Sequence, residues 1–165
     1  MYVCLYRIDD EITDDGTELG ADNVYKYLSN VMYARRLKMN PLWNTFVVAG
    51  YSRQTREPVL GCVDLHGTTW QSPSIATGFG AYLVQPLLRK HLSTYTPGQT
   101  TYEQARKVVE DCMRVLFYRD ARSLNRIQIG VVWKDAEKGI EISEPFELKT
   151  EWAFAEDIRG YGRVV

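Results

Sequence analysis

The helices of this chain are predicted to be grouped rather than alternated with its strands, and this grouping constrains the fold most. Apolar residues recur at helical spacing in three segments, from Val24 to Val31, from Ala81 to Leu88 and from Tyr102 to Leu116. Extended segments lie on either side of the last two helices, within residues 45–77 and 125–142. A doubly wound parallel sheet needs a helix between successive strands, so this order predicts a layered α+β fold.

Local signals predict where the helices begin and bend. Asp22 is expected to cap the first helix, and Thr100 with Glu103 is expected to form a capping box at the start of the last. Pro86 removes one backbone hydrogen bond and should bend the helix that contains it. A buried stripe is predicted along the last helix, formed by Tyr102, Ala105, Val108, Val109, Cys112, Val115 and Leu116.

The strands are predicted from short apolar or alternating runs. Residues 45–51 (TFVVAGY) are continuously apolar, which predicts a strand buried on both faces. Apolar and polar residues alternate over residues 127–131 and 140–142, which predicts two strands with a polar turn over residues 134–138 between them. Further extended pieces are expected over residues 58–64, 68–71 and 74–77.

Composition excludes several classes of function. The net charge is −1 and the basic residues are scattered, so no nucleic-acid or membrane surface is predicted. The three cysteines, Cys4, Cys62 and Cys112, are widely spaced, and the chain has two histidines. Neither a disulfide framework nor a zinc site is therefore expected, and no cofactor is predicted. Buried reduced thiols favour the cytoplasm and nucleus.

Two local patterns superficially suggest other chemistry. Asp64 and His66 could form a base and its orienting carboxylate, but two residues apart on a strand they are ordinary neighbours with no nucleophile beside them. The Gly78-Phe79-Gly80 sequence lacks the last glycine of a dinucleotide-binding loop, because Leu83 fills that position. Neither pattern predicts a site.

Three long stretches resemble one known family. They read MYARRLKMNPLWNTFVVAGY from Met32, LGCVDLHGTTWQSPSIATGFGAYLVQPLLRK from Leu60, and CMRVLFYRDARSLNRIQIG from Cys112. In these stretches the chain resembles the beta subunits of the eukaryotic 20S proteasome core, at the non-catalytic seventh position of the beta ring. The likeness extends over roughly residues 22–155.

The resemblance implies a single domain over residues 1–165 with the four-layer αββα sandwich of N-terminal nucleophile hydrolases. In that fold, residues 21–37, 80–92 and 100–120 would be flanking helices and residues 125–142 a hairpin of one sheet. Residues 1–12 match poorly, so we expect the opening strands and the nucleophilic threonine of that fold to be missing. Incomplete sheets should leave an exposed apolar face and make the isolated chain poorly soluble. The alternatives are an active threonine peptidase whose first segment is missing, and a standalone interaction domain.

The resemblance also places family site residues on this chain. Active subunits carry R-D-x-x-S-G-G, and here Asp120 and Ser123 keep the Asp and Ser while Leu124 and Asn125 replace both glycines. Ala81 stands where active subunits have a serine. Asp120 and Ser123 are thus expected to be vestiges that make local hydrogen bonds, and the chain is expected not to be an enzyme.

The implied partners are other proteasome beta subunits in the same and the opposite ring, and proteasome alpha subunits. Residues 156–165 are predicted to be an extended tail that becomes ordered on the opposite ring, and deleting residues 158–165 should slow the joining of half-particles. Aromatic and arginine residues are frequent at interfaces. The interface candidates are Tyr33, Arg35, Arg36, Tyr118, Tyr161 and Val165.

Overall fold

A computed structural model describes residues 19–94, 100–135 and 138–153. Helices and strands are mixed among these residues, as predicted. The helices are α1 (Ala21–Leu37), α2 (Gly80–Leu83), α3 (Gln85–Thr94) and α4 (Tyr102–Arg119). The strands are β1 (Phe46–Tyr51), β2 (Pro58–Val63), β3 (Thr69–Gln71), β4 (Arg126–Ile127), β5 (Gly130–Val132), β6 (Ile140–Ile142) and β7 (Phe146–Glu147). The predicted tail over residues 156–165 lies outside the described residues.

The described residues form two compact units. The first contains the residues up to Thr77 together with Val131–Glu141, and the second contains Gly78–Gly130 and the residues from Ile142 onward. The single domain over residues 1–165 stays a prediction.

In the first unit, α1 packs on an antiparallel sheet of order β1-β2-β3. Two glycines on one face allow the close approach. A Cβ at Gly50 would stand 2.6 Å from the Cβ of Ala21, and a Cβ at Gly61 would overlap the ring of Tyr25. The sheet register places Gly50 opposite Val59 and Gly61 opposite Val48, so both glycines lie on the same face of the sheet.

The bounds of α1 that the resemblance implies are confirmed, but the N-cap predicted from the local sequence is wrong. Gly20, not Asp22, is the N-cap residue, and its backbone N–H donates a 2.9 Å hydrogen bond to the side chain of Asn23. Asp22 lies in the first turn, where its carboxylate interacts favourably with the positive end of the helix dipole.

The prediction that β1 is buried on both faces is wrong among the described residues. Val47 is 45% exposed and Ala49 is also exposed, whereas the alternate residues Phe46 and Val48 are half-buried. Helix α1 covers one face of the sheet, and Val47 lies on the other. Cys62 and Val63, in the neighbouring strand, are fully buried.

In the second unit, the helix predicted over residues 80–92 is two helices, α2 and α3, separated by Val84. The Val84 N–H donates to the Gly80 carbonyl at 2.9 Å, and the Leu88 N–H donates to Val84 at 2.9 Å. Pro86 has no N–H and lies in the first turn of α3, where no intrahelical donor is required. The predicted bend at Pro86 is therefore a break between two helices, just before the proline.

Helix α4 begins one residue later than predicted. Thr101 is its N-cap: the Thr101 Oγ1 accepts from the Gln104 N–H at 3.3 Å, and the Gln104 side chain accepts from the Thr101 N–H at 2.9 Å. The predicted Thr100 and Glu103 pair is therefore wrong. Glutamine completes a capping box as glutamate does, so the sequence allowed either register.

The predicted stripe of α4 is buried over its second half. Cys112 is buried and Leu116 is half-buried, whereas Tyr102 and Val109 remain exposed. Helical spacing marks which residues share a face, but burial also requires a neighbouring element at that height of the helix.

The predicted hairpin is divided between two pairings. Strand β4 pairs with β7, with Ile127 opposite Phe146, and β5 pairs with β6. The Trp133 N–H donates to the Gly139 carbonyl at 3.0 Å next to the β5–β6 pair. Residues 74–77 form no strand.

Candidate functional site

Asp120 ends helix α4. Its backbone N–H donates a 2.7 Å hydrogen bond to the carbonyl of Leu116, and its backbone is extended, so the helix stops there. The Asp120 carboxylate accepts a 3.0 Å hydrogen bond from the Arg122 N–H. Such a short-range bond is typical of an aspartate that closes a turn.

Ser123 lies in the same turn. Its hydroxyl is 2.7 Å from the carbonyl oxygen of Asp120 and 3.3 Å from that of Leu116. A hydroxyl has one proton to donate, so the shorter contact is the principal hydrogen bond. The structure thus brings Asp120 and Ser123 together, and their hydrogen bonds among the described residues go to α4 and to the turn.

Ala81 lies on a different element, helix α2. Its side chain is exposed, and its N–H donates to the carbonyl of Gly78 at 3.2 Å. A methyl group neither donates nor accepts a hydrogen bond, so this position cannot assist a nucleophile as a serine hydroxyl could.

Leu124 and Asn125, the two residues predicted to replace family glycines, have different surroundings. Leu124 is 78% exposed, whereas Asn125 is half-buried and donates from its side-chain amide to the Leu148 carbonyl at 2.8 Å. Leu124 therefore places a bulky apolar side chain directly after Ser123.

The interface candidates near the end of α1 differ in exposure. Tyr33 and Arg36 are exposed, and Arg35 is half-buried. The Nε of Arg35 is shielded from solvent and has no hydrogen-bond acceptor among the described residues. Tyr161 and Val165 lie outside the described residues.

Tyr118 makes its contacts within the chain. Its hydroxyl accepts a 2.8 Å hydrogen bond from the Glu151 N–H and donates to the Glu151 carbonyl at 3.2 Å. Its ring stands edge-on to the ring of Trp152, with centroids 4.9 Å apart. These bonds hold residues 151–152 on α4, and the predicted interface role of Tyr118 stays a prediction.

Asp64 and His66 form a turn rather than part of a strand. One carboxylate oxygen of Asp64 accepts from the N–H groups of His66 at 2.8 Å and Thr68 at 2.9 Å. Burial acts to raise the pKa of Asp64, but the hydrogen bonds from Thr68 and His66 outweigh it and hold that pKa below its ordinary value. The His66 ring, 3.4 Å from the other carboxylate oxygen, adds to the same effect.

Cys62 and Cys112 are buried and free. Burial raises the pKa of both thiols, and the nearby carboxylates of Asp64 and Asp111 add to the increase. Both thiols are therefore poor nucleophiles at neutral pH. The described ranges contain no group of three or more histidine, cysteine or acidic residues placed to bind a metal, and none of their helices is long and apolar enough to span a bilayer.

A cleft of about 590 Å³ in the first unit was not predicted from the sequence. It lies between the turn after β1 and the turn after β5, which are distant in sequence. Its lining includes Tyr51, Ser52, Arg53, Arg56, Trp133, Lys134 and Asp135. The Ser52 hydroxyl is buried and accepts from the Thr55 N–H at 3.3 Å, so it closes the turn.

Comparison with known proteins identifies the family. A family model described as Proteasome subunit matches residues 7–132. The chain belongs to the proteasome subunit family. Relatives of this proteasome subunit include proteasome subunit beta type-4 of Xenopus laevis, 46% identical over 93% of the chain and 61% of that relative. Proteasome subunit beta type-4 of Dictyostelium discoideum is 48% identical over 86% of the chain and 52% of that relative.

A fungal relative has a different subunit number in its name. Proteasome subunit beta type-7 of Saccharomyces cerevisiae is 39% identical over 93% of the chain and 58% of that relative. The proteasome subunit described here thus spans between about half and three fifths of the length of these three curated relatives. The predicted resemblance to proteasome beta subunits is confirmed.

Proposed function

We propose that this chain is a non-catalytic, structural beta subunit of the 20S proteasome core, and that it acts in the ubiquitin-dependent pathway of protein degradation. Its partners would be beta subunits of the same and the opposite ring and the alpha subunits. Its place of action would be the cytoplasm and nucleus. The names of the relatives support the kind of subunit, and the mixed helix and strand content is compatible with a four-layer αββα sandwich.

The observation that carries the lack of catalysis is Ala81. An N-terminal nucleophile is activated by polar groups placed around it, and a methyl group in place of a serine hydroxyl removes one of them. The exposed Leu124 stands where active subunits have a glycine, which alters the backbone freedom next to Ser123. Both substitutions disfavour a working threonine site.

An active threonine peptidase is the second candidate. Active subunits carry an aspartate and a serine at the positions of Asp120 and Ser123, which favours the peptidase. A 2.7 Å hydrogen bond from the Ser123 hydroxyl to the Asp120 backbone carbonyl brings the two residues together. The same bond equally serves the end of α4. Ala81 and Leu124 support the structural subunit over the peptidase.

The test uses core particles purified from cells that produce the chain with an affinity tag. An electrophilic probe that reacts with N-terminal threonines is added, and the subunits are separated and identified by intact mass. We expect this chain to be present and unlabelled while the catalytic subunits are labelled. Labelling of this chain would support the peptidase, and its absence from particles would contradict both candidates.

A further inference from the structure

Helix α1 ends in a Schellman motif with an unusual residue at its centre. The Asn40 N–H donates to the Arg35 carbonyl at 3.1 Å, and the Met39 N–H donates to the Arg36 carbonyl at 3.0 Å. Met39 has a φ of +51°, a left-handed conformation that glycine or asparagine usually takes at this position. Its side chain is 91% exposed, so contacts within the described chain do not offset the strain.

Met39 belongs to a group of exposed apolar side chains around the end of α1. Leu37 is 63% exposed and Trp43 is 81% exposed, and Tyr33, one turn before Leu37, is about half exposed. Trp43 follows Met39 by four residues, so their Cα atoms are at most about 14 Å apart. We call Tyr33, Leu37, Met39 and Trp43 the α1-end surface.

The α1-end surface has a rigid support. The chain turns at Gly67, whose φ is +81°, directly beneath Tyr33, and a Cβ at Gly67 would stand 2.8 Å from the backbone N of Tyr33. One turn earlier, the Ser29 hydroxyl donates to the Gly67 carbonyl at 3.2 Å. The helix is therefore held on the sheet while the tyrosine ring remains accessible, so little order has to be gained on binding.

The stretch of sequence that contains the α1-end surface carries charge of one sign, although Asp64 lies in the turn beneath Tyr33. The sequence has no aspartate or glutamate between Asp22 and Glu57. Arg35, Arg36 and Lys38 lie within or beside the α1-end surface. A partner with carboxylates around an apolar centre would be attracted, whereas two copies of this chain meeting through the same surface would bring their cations together.

We propose that the α1-end surface is a contact site for a different proteasome subunit, one that presents an apolar patch edged by aspartate or glutamate. The class of partner rests on the proposed function. Met39 and Trp43 fill the centre of the contact, and Arg36 with Lys38 pair with the carboxylates at its edge. The left-handed backbone at Met39 directs the side chain away from the Schellman motif, so that it can contact the partner.

The first test places a photo-reactive amino acid at position 39 of the full chain in cells that assemble core particles. Irradiation followed by mass spectrometry should join position 39 to one other proteasome subunit, next to acidic residues. Attachment to a second copy of this chain would overturn the proposal. Absence of any attachment in particles that contain the chain would overturn it as well.

The second test compares two substitutions that relieve the same strain. Among the described non-glycine residues, Arg56 also has a positive φ, at +54°. It lies in an exposed turn away from the α1-end surface. Met39→Gly and Arg56→Gly should both leave the chain folded. Met39→Gly, and separately Trp43→Ser, should reduce incorporation into particles by roughly fivefold or more, as expected for the loss of a central apolar contact.

The outcomes separate the two proposals. If the unchanged chain enters particles and Met39→Gly and Trp43→Ser enter equally well, the α1-end surface is not the contact and the proposed function stands. If the unchanged chain never enters particles, the proposed function fails and this inference fails with it. Equal losses for Arg56→Gly and Met39→Gly would also overturn the inference, because backbone change and not the surface would then be the cause.

Discussion

The hydroxyl of Ser123 donates a 2.7 Å hydrogen bond to the backbone carbonyl of Asp120. The two residues resemble a catalytic pair in sequence, yet this bond and the Asp120 to Arg122 contact both close the end of helix α4. The presence of these two residue types therefore has a structural explanation that needs no catalysis, since a helix end must satisfy its last carbonyl groups.

Ser123→Ala should lower stability by up to about 1 kcal/mol, because the half-buried Asp120 carbonyl loses the shorter of its two hydrogen bonds and keeps the one from the Ser123 N–H at 3.1 Å. The peptidase activity of core particles that contain the variant should be unchanged. Ser93→Ala is the matched control: its hydroxyl makes a bond of the same length, 2.7 Å, to the Lys90 carbonyl, but the residue is exposed. Water can replace that bond, so denaturant unfolding should give a smaller loss for Ser93→Ala. A loss of activity with Ser123→Ala would contradict the structural role.

Thr101→Ala should cost about 1 kcal/mol, because the Gln104 N–H at the start of α4 loses its acceptor. Thr100→Ala should change stability by less than about 0.5 kcal/mol, since residue 100 is exposed and precedes the cap. Thermal unfolding of the two variants decides between the observed register and the predicted one. A larger effect at position 100 would restore the predicted capping box.

Gly50→Ala should lower stability by about 1–3 kcal/mol, because its methyl group would press against Ala21 and push α1 off the sheet. Adding Ala21→Gly should recover part of that loss by removing the opposing methyl. Gly78→Ala is the control for backbone strain alone, since Gly78 has φ +61° and open space around it. Denaturant unfolding measures all three, and failure of Ala21→Gly to recover any stability would argue against the contact.

Asp64 should make stability depend on pH in the acid range. Its folded pKa lies below the ordinary value of 3.8, so folding favours the charged form. The contribution is fully present above about pH 4, near the unfolded pKa, and is lost as the pH falls through the folded value. The stability difference between the unchanged chain and Asp64→Ala should therefore shrink on acidification. A difference that is constant down to about pH 2 would show that the charge of Asp64 has no part in it.

The parts of the fold that could be predicted depend on contacts between residues close in sequence. Helix α1 was predicted from periodicity, and β1 and β2 to within a residue of their observed bounds, because a helix and a hairpin are specified by residues close in sequence. The exact bounds of α1 came from the family resemblance. The capping box of α4 was missed by one residue because Thr100 and Thr101 each have a suitable partner three residues on. The family positions of Asp120, Ser123 and Ala81 came from the resemblance, and their vestigial role stays a prediction.

What the tertiary structure decided involves residues that are distant in sequence. Three features could not be predicted: the pairing of β4 with β7, the exposure of Val47 and the cleft between two turns. Alternation indicates a strand but not the strand with which it pairs. The sequence alone determined that Met39 lies among apolar and basic residues. Only the folded chain shows that Met39 takes a left-handed conformation and faces solvent, because backbone strain and exposure depend on how α1 ends against the sheet.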